Sequence, residues 1–138
     1  MTFIVDASLT LSWYLADDAA PAGRHAFEQL GVTGAAAPIL WWFEVRNALI
    51  VNERRGRLDA AATVGILAHL QSLSIRLDVD PDGEVMLALA REHRLTVYDA
   101  AYLELALRAD APLATLDQQL ARAARAAQVP LLGEGDLR

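Results

Sequence analysis

Short apolar runs rich in β-forming residues alternate with helical apolar patterns along this chain, and this alternation constrains the fold more than any other feature. The first run, Phe3-Ile4-Val5, has the character of a buried strand that ends at Asp6. Further strands are predicted over residues 35–37, 75–79, 112–116 and 129–132. Strands that alternate with helices predict a three-layer α/β/α sandwich with a mainly parallel central sheet and right-handed crossovers.

Turn and capping residues mark where the predicted helices begin and end. Asp6 or Ser8 caps the first helix, and the stretch 17–20 is a break before Pro21 opens the second. Gly31 is expected to end the second helix, and Gly56 to follow a long helix over residues 39–55 as a left-handed cap. Four more helices are predicted to begin at about Asp59, Pro81, Thr96 and Asp117 and to end at about Leu73, His93, Arg108 and Gln128.

Length and composition predict one domain over residues 1–138, because a chain of this size that is more than half apolar can bury a sizeable core. No apolar run approaches the roughly eighteen residues of a membrane span. The first residues lack the basic start and long apolar middle of a signal peptide. We therefore expect a cytoplasmic protein with no membrane segment.

The absence of cysteine and lysine excludes several kinds of chemistry. Without cysteine there is no disulfide, no thiolate nucleophile and no cysteine-bearing metal site. Without lysine there is no phosphate-binding Walker loop and no Schiff-base catalysis, since all twelve basic residues are arginines. The three histidines, which lie far apart in the sequence and are not expected to form a ligand pair, are His25, His69 and His93.

Four carboxylates occupy positions where function is plausible. Asp6 and Asp117 follow predicted strands, and sites in parallel sheets form beyond the carboxyl ends of the strands. Asp99 lies at a helix start in the same layer, while Glu44 lies on an apolar helix face, where a carboxylate needs a partner or a metal ion. Each also has an ordinary structural explanation: Asp6 and Asp117 as helix N-caps, Asp99 in a capping box with Thr96, and Glu44 as a paired core carboxylate.

These structural explanations are weaker for the four carboxylates together, because like charges in one cleft repel unless a cation or a proton separates them. Carboxylates around an open cavity suit Mg²⁺ or Mn²⁺, which prefer oxygen ligands. Two such ions stabilise both the attacking and the leaving oxygen of a phosphodiester displacement. The net charge of −6 would otherwise count against a polyanionic partner.

Four sequence motifs resemble those of a known family. They are Ile4-Val5-Asp6-Ala7-Ser8, then Pro38 followed by Glu44-Val45-x-Asn47-Ala48-Leu49, then Val97-Tyr98-Asp99-Ala100-Ala101-Tyr102-Leu103, and finally Ala114-Thr115-Leu116-Asp117. In this order and spacing, over nearly the whole chain, they resemble the PIN domain, and specifically the toxin ribonucleases of VapBC toxin–antitoxin pairs. No single motif is specific to that family, but the four together are.

The resemblance implies a metal-dependent endoribonuclease that cleaves RNA with water activated by Mg²⁺ or Mn²⁺. By the same resemblance, the acidic pocket is formed by Asp6, Glu44, Asp99 and Asp117. The residues that orient these carboxylates or bind a water ligand would be Ser8, Asn47 and Thr115. The resemblance also implies a homodimer and a cognate antitoxin, whose inhibitory peptide lies in a groove beside the pocket.

Several aromatic and charged residues lie outside this pocket. Aromatic side chains crowd the first and third helices and cannot all face one core, so we expect Trp13 and Trp42 to line the antitoxin groove unless they are core residues. Glu104 is expected to be a solvated helix residue that points off the site. The densest basic patch, expected either to contact the RNA backbone or simply to be solvated at a helix end, is Arg54, Arg55 and Arg57.

Two other functions compete with the nuclease. An aspartate that ends the first strand is typical of aspartyl phosphotransfer, but haloacid-dehalogenase-like phosphatases expect a second aspartate where Ser8 stands. They and the response-regulator receivers also use a lysine, which this chain lacks. A PIN-like module that binds RNA or protein without turnover stays open, because intact acidic residues do not prove catalysis. The RNA target is not predicted, since recognition depends on shape and unpaired bases.

Overall fold

Four short parallel strands form the sheet, in the order β3-β2-β1-β4. The computed structural model describes residues 2–15 and 21–134. Along these residues the elements are β1 (Phe3–Val5), α1 (Ala7–Leu15), α2 (Pro21–Thr33), β2 (Ala35–Pro38), α3 (Leu40–Arg54), α4 (Ala60–Ser72), β3 (Ile75–Asp78), α5 (Gly83–His93), α6 (Val97–Ala109), β4 (Leu113–Ala114) and α7 (Gln118–Ala126).

β1 is one of the two inner strands of the sheet and pairs with a neighbour on each side. Ile4 lies opposite Ala36 of β2 and Leu113 of β4, and β2 pairs in turn with β3. All of β1 is fully buried, as is typical of parallel strands covered by helices on both faces. The residue that follows β1 is therefore delivered to the middle of the sheet's carboxyl edge.

The helices lie in two layers because the chain reverses its direction across the sheet. It moves from β1 to β2 to β3 and then returns across both to reach β4. Right-handed crossovers place α1 to α4 on one face and α5 to α7 on the other. The packing agrees, since α1 contacts α2 and α3, whereas α6 contacts α5, α7 and three of the strands. The predicted α/β/α sandwich with a parallel sheet is confirmed.

This reversal creates a crevice at the carboxyl ends of β1 and β4. The two strands are neighbours, but the connection after β1 leads toward β2, and the connection after β4 leads away from it. Open α/β sheets bind their ligands at such a switch point. Asp6 follows β1 and Thr115 follows β4, so both residues lie at this crevice.

Most predicted capping residues occupy the expected positions. Asp59, Thr96 and Asp117 each accept a hydrogen bond from a backbone N–H in the first turn of their helices. Gly56 follows α3 with a left-handed φ of 74°. The predicted break over residues 17–20 lies outside the described residues. Capping chemistry thus located these helix ends well from sequence alone.

Two predicted helix boundaries are wrong, the end of α2 and the start of α5. α2 continues through Gly31 to its end at Thr33, and the left-handed glycine that follows is Gly34, with φ of 70°. Gly31 lies in open space, so a helix passes through it without conflict. α5 does not begin at Pro81, because the side chain of Asp82 accepts hydrogen bonds from the first turn and fixes the start at Gly83.

The sheet is shorter at its β4 edge than the sequence predicted. β4 contains only Leu113 and Ala114, and the strand predicted over residues 129–132 is reduced to a single bridge between Leu131 and Leu113. The chain leaves the sheet at Thr115, whose hydroxyl accepts a hydrogen bond from the N–H of Asp117. This turn replaces the rest of the predicted strand and carries the chain toward the crevice.

Glu104 is not solvated, and that expectation is wrong. Its side chain is 2% exposed and accepts hydrogen bonds from the Arg108 guanidinium at 2.8 and 3.0 Å. Arg108 also bonds both carboxylate oxygens of Asp78, at 3.1 and 2.6 Å. Glu104 does point away from the crevice, but toward the carboxyl end of β3, where this arginine neutralises it. The ion pair between Arg108 and Asp78 links α6 to the end of β3.

The longest helix of residues 2–15 and 21–134 is α3, and none in these ranges is long and apolar enough to cross a bilayer.

Candidate active site

Asp6 is held at the crevice by a set of hydrogen bonds that converge on its carboxylate. Oδ1 accepts from the Ser8 hydroxyl at 2.8 Å and from the N–H of Leu9 at 2.9 Å. Oδ2 accepts from the Thr115 hydroxyl. The backbone N–H of Leu116 in turn donates to Ser8 Oγ at 3.2 Å. Two hydroxyl groups thus connect the loop after β4 to Asp6.

Burial and these hydrogen-bond donors have opposite effects on the pKa of Asp6. The side chain is 4% exposed, and burial raises its pKa from 3.8 to about 6, although the hydrogen bonds from Thr115, Leu9 and Ser8 oppose the shift. The nearby charge of Asp117 raises the pKa further. A buried carboxylate beside a second carboxylate favours a bound proton or a bound cation.

Glu44 reaches the same region from α3 and is held by Tyr102. The Tyr102 hydroxyl donates to Glu44 Oε1 at 2.6 Å, and this tyrosine is 2% exposed. Burial raises the pKa of Glu44, the charge of Asp99 raises it further, and the hydrogen bond from Tyr102 lowers it. Burial and the adjacent Glu44 charge also raise the pKa of Tyr102 strongly, so its hydroxyl keeps its proton.

Tyr102 also belongs to this site, although it was not among the predicted site residues. A signal was present, because Tyr102 follows Asp99 by three residues on α6, and residues at this spacing share a helix face. The hydroxyl also lies close to the backbone N–H of Ala7 and to the Asp6 charge. One buried side chain of α6 therefore bridges the start of α1 and the carboxylate on α3.

Asp99 lies in the first turn of α6 and forms only half of the predicted capping box. The Thr96 hydroxyl accepts from the N–H of Asp99 at 3.1 Å, but no described residue donates a hydrogen bond to the Asp99 carboxylate. Burial raises the pKa of Asp99, and the charge of Asp117 adds to the rise. The carboxylate of Asp99 is thus available to a ligand, while the backbone performs the capping.

Asp117 combines a capping role with a position at the crevice. Its Oδ1 accepts from the N–H groups of Gln119 and Leu120 at 2.8 and 3.1 Å, which caps α7 as predicted. Among the described residues, none donates to Oδ2. The cap therefore uses one oxygen and leaves the other without a donor, and the Asp117 charge lies close enough to Asp6 and Asp99 to raise their pKa values.

The electrostatic couplings link the four predicted acids into one cluster. Asp117 raises the pKa of Asp6 and of Asp99, and Asp99 raises that of Glu44. Within residues 2–15 and 21–134, no three or more histidine, aspartate or glutamate side chains are arranged to hold one metal ion by themselves. The donors nevertheless fit Mg²⁺ or Mn²⁺, because Mg²⁺ usually keeps several waters and takes only one or two protein carboxylates.

The remaining predicted site residues lie in different places. Asn47 is on the same face of α3 as Glu44, exposed, and without a hydrogen bond to the described residues. Ser8 and Thr115 contact Asp6 directly, as described above. The exposed basic residues Arg54, Arg55 and Arg57 lie at the far end of α3, about 15 Å along the helix from Glu44.

The two tryptophans line separate cavities on the α4 side of the molecule. Trp13 donates to the carbonyl of Gly23 at 2.9 Å and lines a cavity of about 340 Å³ together with Phe27 and other residues of α1, α2 and α4. Trp42 is 39% exposed, stacks under the Arg46 guanidinium, and lines a second cavity of about 220 Å³. Neither tryptophan is fully buried, and they do not share one groove.

Comparison with known proteins decides the family. The sequence profile of the PIN domain family matches residues 3–126. This chain belongs to the PIN domain family. It is 35% identical over 127 residues to Ribonuclease VapC3 of Pyrobaculum aerophilum. The aligned residues cover 88% of this chain and 93% of that protein. The resemblance to VapC-type PIN domains that the sequence motifs suggested is thereby confirmed.

A solved structure supports the same PIN domain fold. The crystal structure of PAE2754 from Pyrobaculum aerophilum matches with a TM-score of 0.71 and 29% identity. The match covers 89% of this chain and 84% of that one. The similarity therefore extends over the sheet and both helix layers of the PIN domain rather than over a single motif.

Proposed function

We propose that this PIN domain is a divalent-metal-dependent endoribonuclease that acts as the toxin of a toxin–antitoxin pair. The observation that carries the proposal is the coupled acidic cluster at the switch-point crevice, formed by Asp6, Glu44, Asp99 and Asp117. The similarity to Ribonuclease VapC3 supports RNA as the substrate and a VapB-like antitoxin as the inhibitor.

One or two of the four carboxylates, together with waters, would hold a Mg²⁺ or Mn²⁺ ion. The ion supplies Lewis-acid activation of water and neutralisation of charge at the phosphodiester when bound. Asp99 and the free oxygen of Asp117 have no hydrogen bond from the described part of the chain, so they are the oxygens open to a cation. Asp6 is more constrained, because three donors already fix the orientation of its carboxylate.

The surrounding residues position these carboxylates. Ser8 and Thr115 connect Asp6 to the loop after β4, and Tyr102 fixes one oxygen of Glu44. Residues that orient metal ligands in this way typically change metal affinity or activity by about 10- to 100-fold when they are replaced. The chain therefore supplies both the acidic ligands and the groups that hold them in place.

The antitoxin, a homodimer and a cytoplasmic location are parts of the same proposal. Trp42 and its neighbour Phe43, whose rings contact edge to face, are 39% and 61% exposed at the start of α3. Exposed aromatic residues of this kind are typical anchors for a protein partner. Trp13 is the other residue predicted for the antitoxin groove, and it lines a separate cavity. If an inhibitor binds over Trp13, Trp13→Ala should weaken inhibition more than it weakens cleavage.

The direct test is cleavage of RNA by the purified protein with and without divalent metal. We expect cleavage with Mg²⁺ or Mn²⁺, none in chelator, and loss of most activity in Asp99→Asn, which is nearly isosteric and should still fold. If a folded Asp99→Asn protein cleaved like wild type, Asp99 would have no catalytic role. RNA binding without metal-dependent cleavage by the wild type would instead support a binding module.

A further inference from the structure

A cavity of about 540 Å³ lies beside the acidic cluster and has no role in the function proposed above. It shares the loop after β4 with the site. Thr115 and Leu116 line the cavity, while the Thr115 hydroxyl donates to Asp6 and the Leu116 N–H donates to Ser8. The same short segment thus bounds the acidic site on one side and the cavity on the other. The cavity is therefore adjacent to the place where a substrate would meet the acids.

The lining is suited to a flat, largely apolar group with polar edges. Leu116, Leu131 and Leu132 supply apolar walls, and the His25 imidazole supplies an aromatic ring. That ring packs against the backbone of Gly133, where an added Cβ would lie 3.1 Å from His25 Cδ2. The exposed amide of Gln118 at the rim offers both a donor and an acceptor.

The charges at the rim disfavour a phosphate as the occupant. The arginine of the lining, Arg125, donates two hydrogen bonds to Glu134, at 3.2 and 2.8 Å, so its charge is matched across the rim. A phosphate would bring its negative charge next to that glutamate. A nucleobase carries no charge, has an apolar face for the leucines and the imidazole, and presents hydrogen-bonding edges to an amide.

We propose that this cavity is a base-binding subsite that holds one unpaired nucleobase of the RNA next to the cleaved phosphodiester. The proposal rests on the ribonuclease function proposed above and deepens it by assigning where a substrate base is bound. Its volume falls within the range of small-ligand pockets, about 300 to 1,000 Å³. The subsite contributes to the choice of cleavage position, because only a base that fits the cavity allows the adjacent phosphodiester to reach the acids.

Abasic scanning of a cleaved substrate tests the subsite. A short oligoribonucleotide that the wild type cuts at one phosphodiester is prepared with an abasic site at each position in turn, and kcat/KM is measured with Mn²⁺. We expect one position beside the cut at which base removal lowers kcat/KM by about 5- to 100-fold, as for loss of a stacked base. Ala22→Phe, which places a ring at the cavity mouth, should abolish the penalty at that position.

A matched variant controls for the added bulk. Ala126→Phe also adds a ring at an exposed helix alanine but does not line the cavity, so it should keep the wild-type abasic profile. Circular dichroism verifies that both variants fold. An equal abasic penalty in Ala22→Phe and in wild type would overturn the subsite.

Binding separates failure of the subsite from failure of the proposed function. The same oligonucleotides are titrated against Asp99→Asn by fluorescence anisotropy, with the Ala22→Phe and Asp99→Asn double variant in parallel. Loss of the abasic penalty only in the double variant supports the subsite. Cleavage or binding of RNA without this coupling overturns the subsite alone, whereas neither cleavage nor binding of any RNA by the wild type overturns the ribonuclease as well.

Discussion

The buried carboxylate of Asp6 gives the metal-free protein a pH dependence of stability whose sign and size follow from the structure. Burial raises the pKa of Asp6 from 3.8 to about 6 in the folded chain. Between these values the folded state binds more protons than the unfolded state, so the free energy of unfolding falls as the pH rises. The contribution is complete below pH 3.8 and is lost above about pH 6. This difference between the folded and unfolded pKa of Asp6 corresponds to about 3 kcal/mol.

The assay is urea unfolding of wild type and Asp6→Asn in chelator, repeated from below pH 4 to above pH 6. Asparagine does not ionise, and the hydrogen bonds that it loses cost a constant amount at every pH. The free energy of unfolding of the variant minus that of the wild type should therefore rise by about 3 kcal/mol across this window. Divalent metal should shrink the rise, because a bound cation stabilises the wild-type carboxylate.

Thr115→Val is a matched variant that tests the opposing effects of burial and hydrogen bonding on the pKa of Asp6. It removes one donor to Asp6 and keeps a side chain of similar shape, and since that donor lowers the pKa of Asp6, the loss of stability with rising pH should become larger. A difference between wild type and Asp6→Asn that stays flat, or that falls as the pH rises, would refute the reasoning, because the donors would then outweigh burial.

Three further predictions concern the acids and α6. In chelator Asp99→Asn should melt at the same temperature as wild type or higher, because burial and Asp117 raise the Asp99 pKa. Mn²⁺ should reverse that order, stabilising wild type by up to about 2.7 kcal/mol at a hundredfold excess over its dissociation constant; an equal shift in both would contradict it. Tyr102→Phe should raise the Mn²⁺ concentration for half-maximal thermal stabilisation and for half-maximal cleavage by about 10-fold, and an unchanged midpoint would exclude a positioning role. Arg108→Leu should cost about 2 kcal/mol in urea unfolding, because Glu104 stays buried without a cation; Glu104→Leu in that background should recover most of the loss, and failure to recover would assign the cost to packing.

The acidic cluster was largely predictable because its members occupy positions that local sequence specifies. Asp6 follows an apolar run, and Asp117 and Thr96 carry the capping chemistry of α7 and α6. The carboxyl ends of parallel strands share an edge, which places Asp6 and Asp117 on the same side of the sheet. The pairing of β1 with β4 then brings them together. The alternation of strands and helices likewise predicted both layers.

The residues that the sequence did not reveal act through distant partners. Tyr102 bonds Glu44 across 58 positions, and periodicity gives the face of a helix but not what packs against it. Glu104 was expected in solvent for the same reason, since its burial depends on Arg108 reaching Asp78 across 30 positions. The left-handed turn after α2 lies at Gly34 rather than at Gly31, because Gly31 also tolerates a helical conformation.

The bond between Thr115 and Asp6 has a consequence for how the chain is made. It joins positions 109 residues apart, and β1 acquires its β4 neighbour only at Leu113. A growing chain must therefore extend past Thr115 before the loop after β4 can fix the first carboxylate, since such long-range closures form late. Chains truncated before Leu113 should be inactive in the cleavage assay even though they retain Asp6, Glu44 and Asp99. Any nuclease activity of this PIN domain would therefore appear only after the ribosome has added the loop that follows β4.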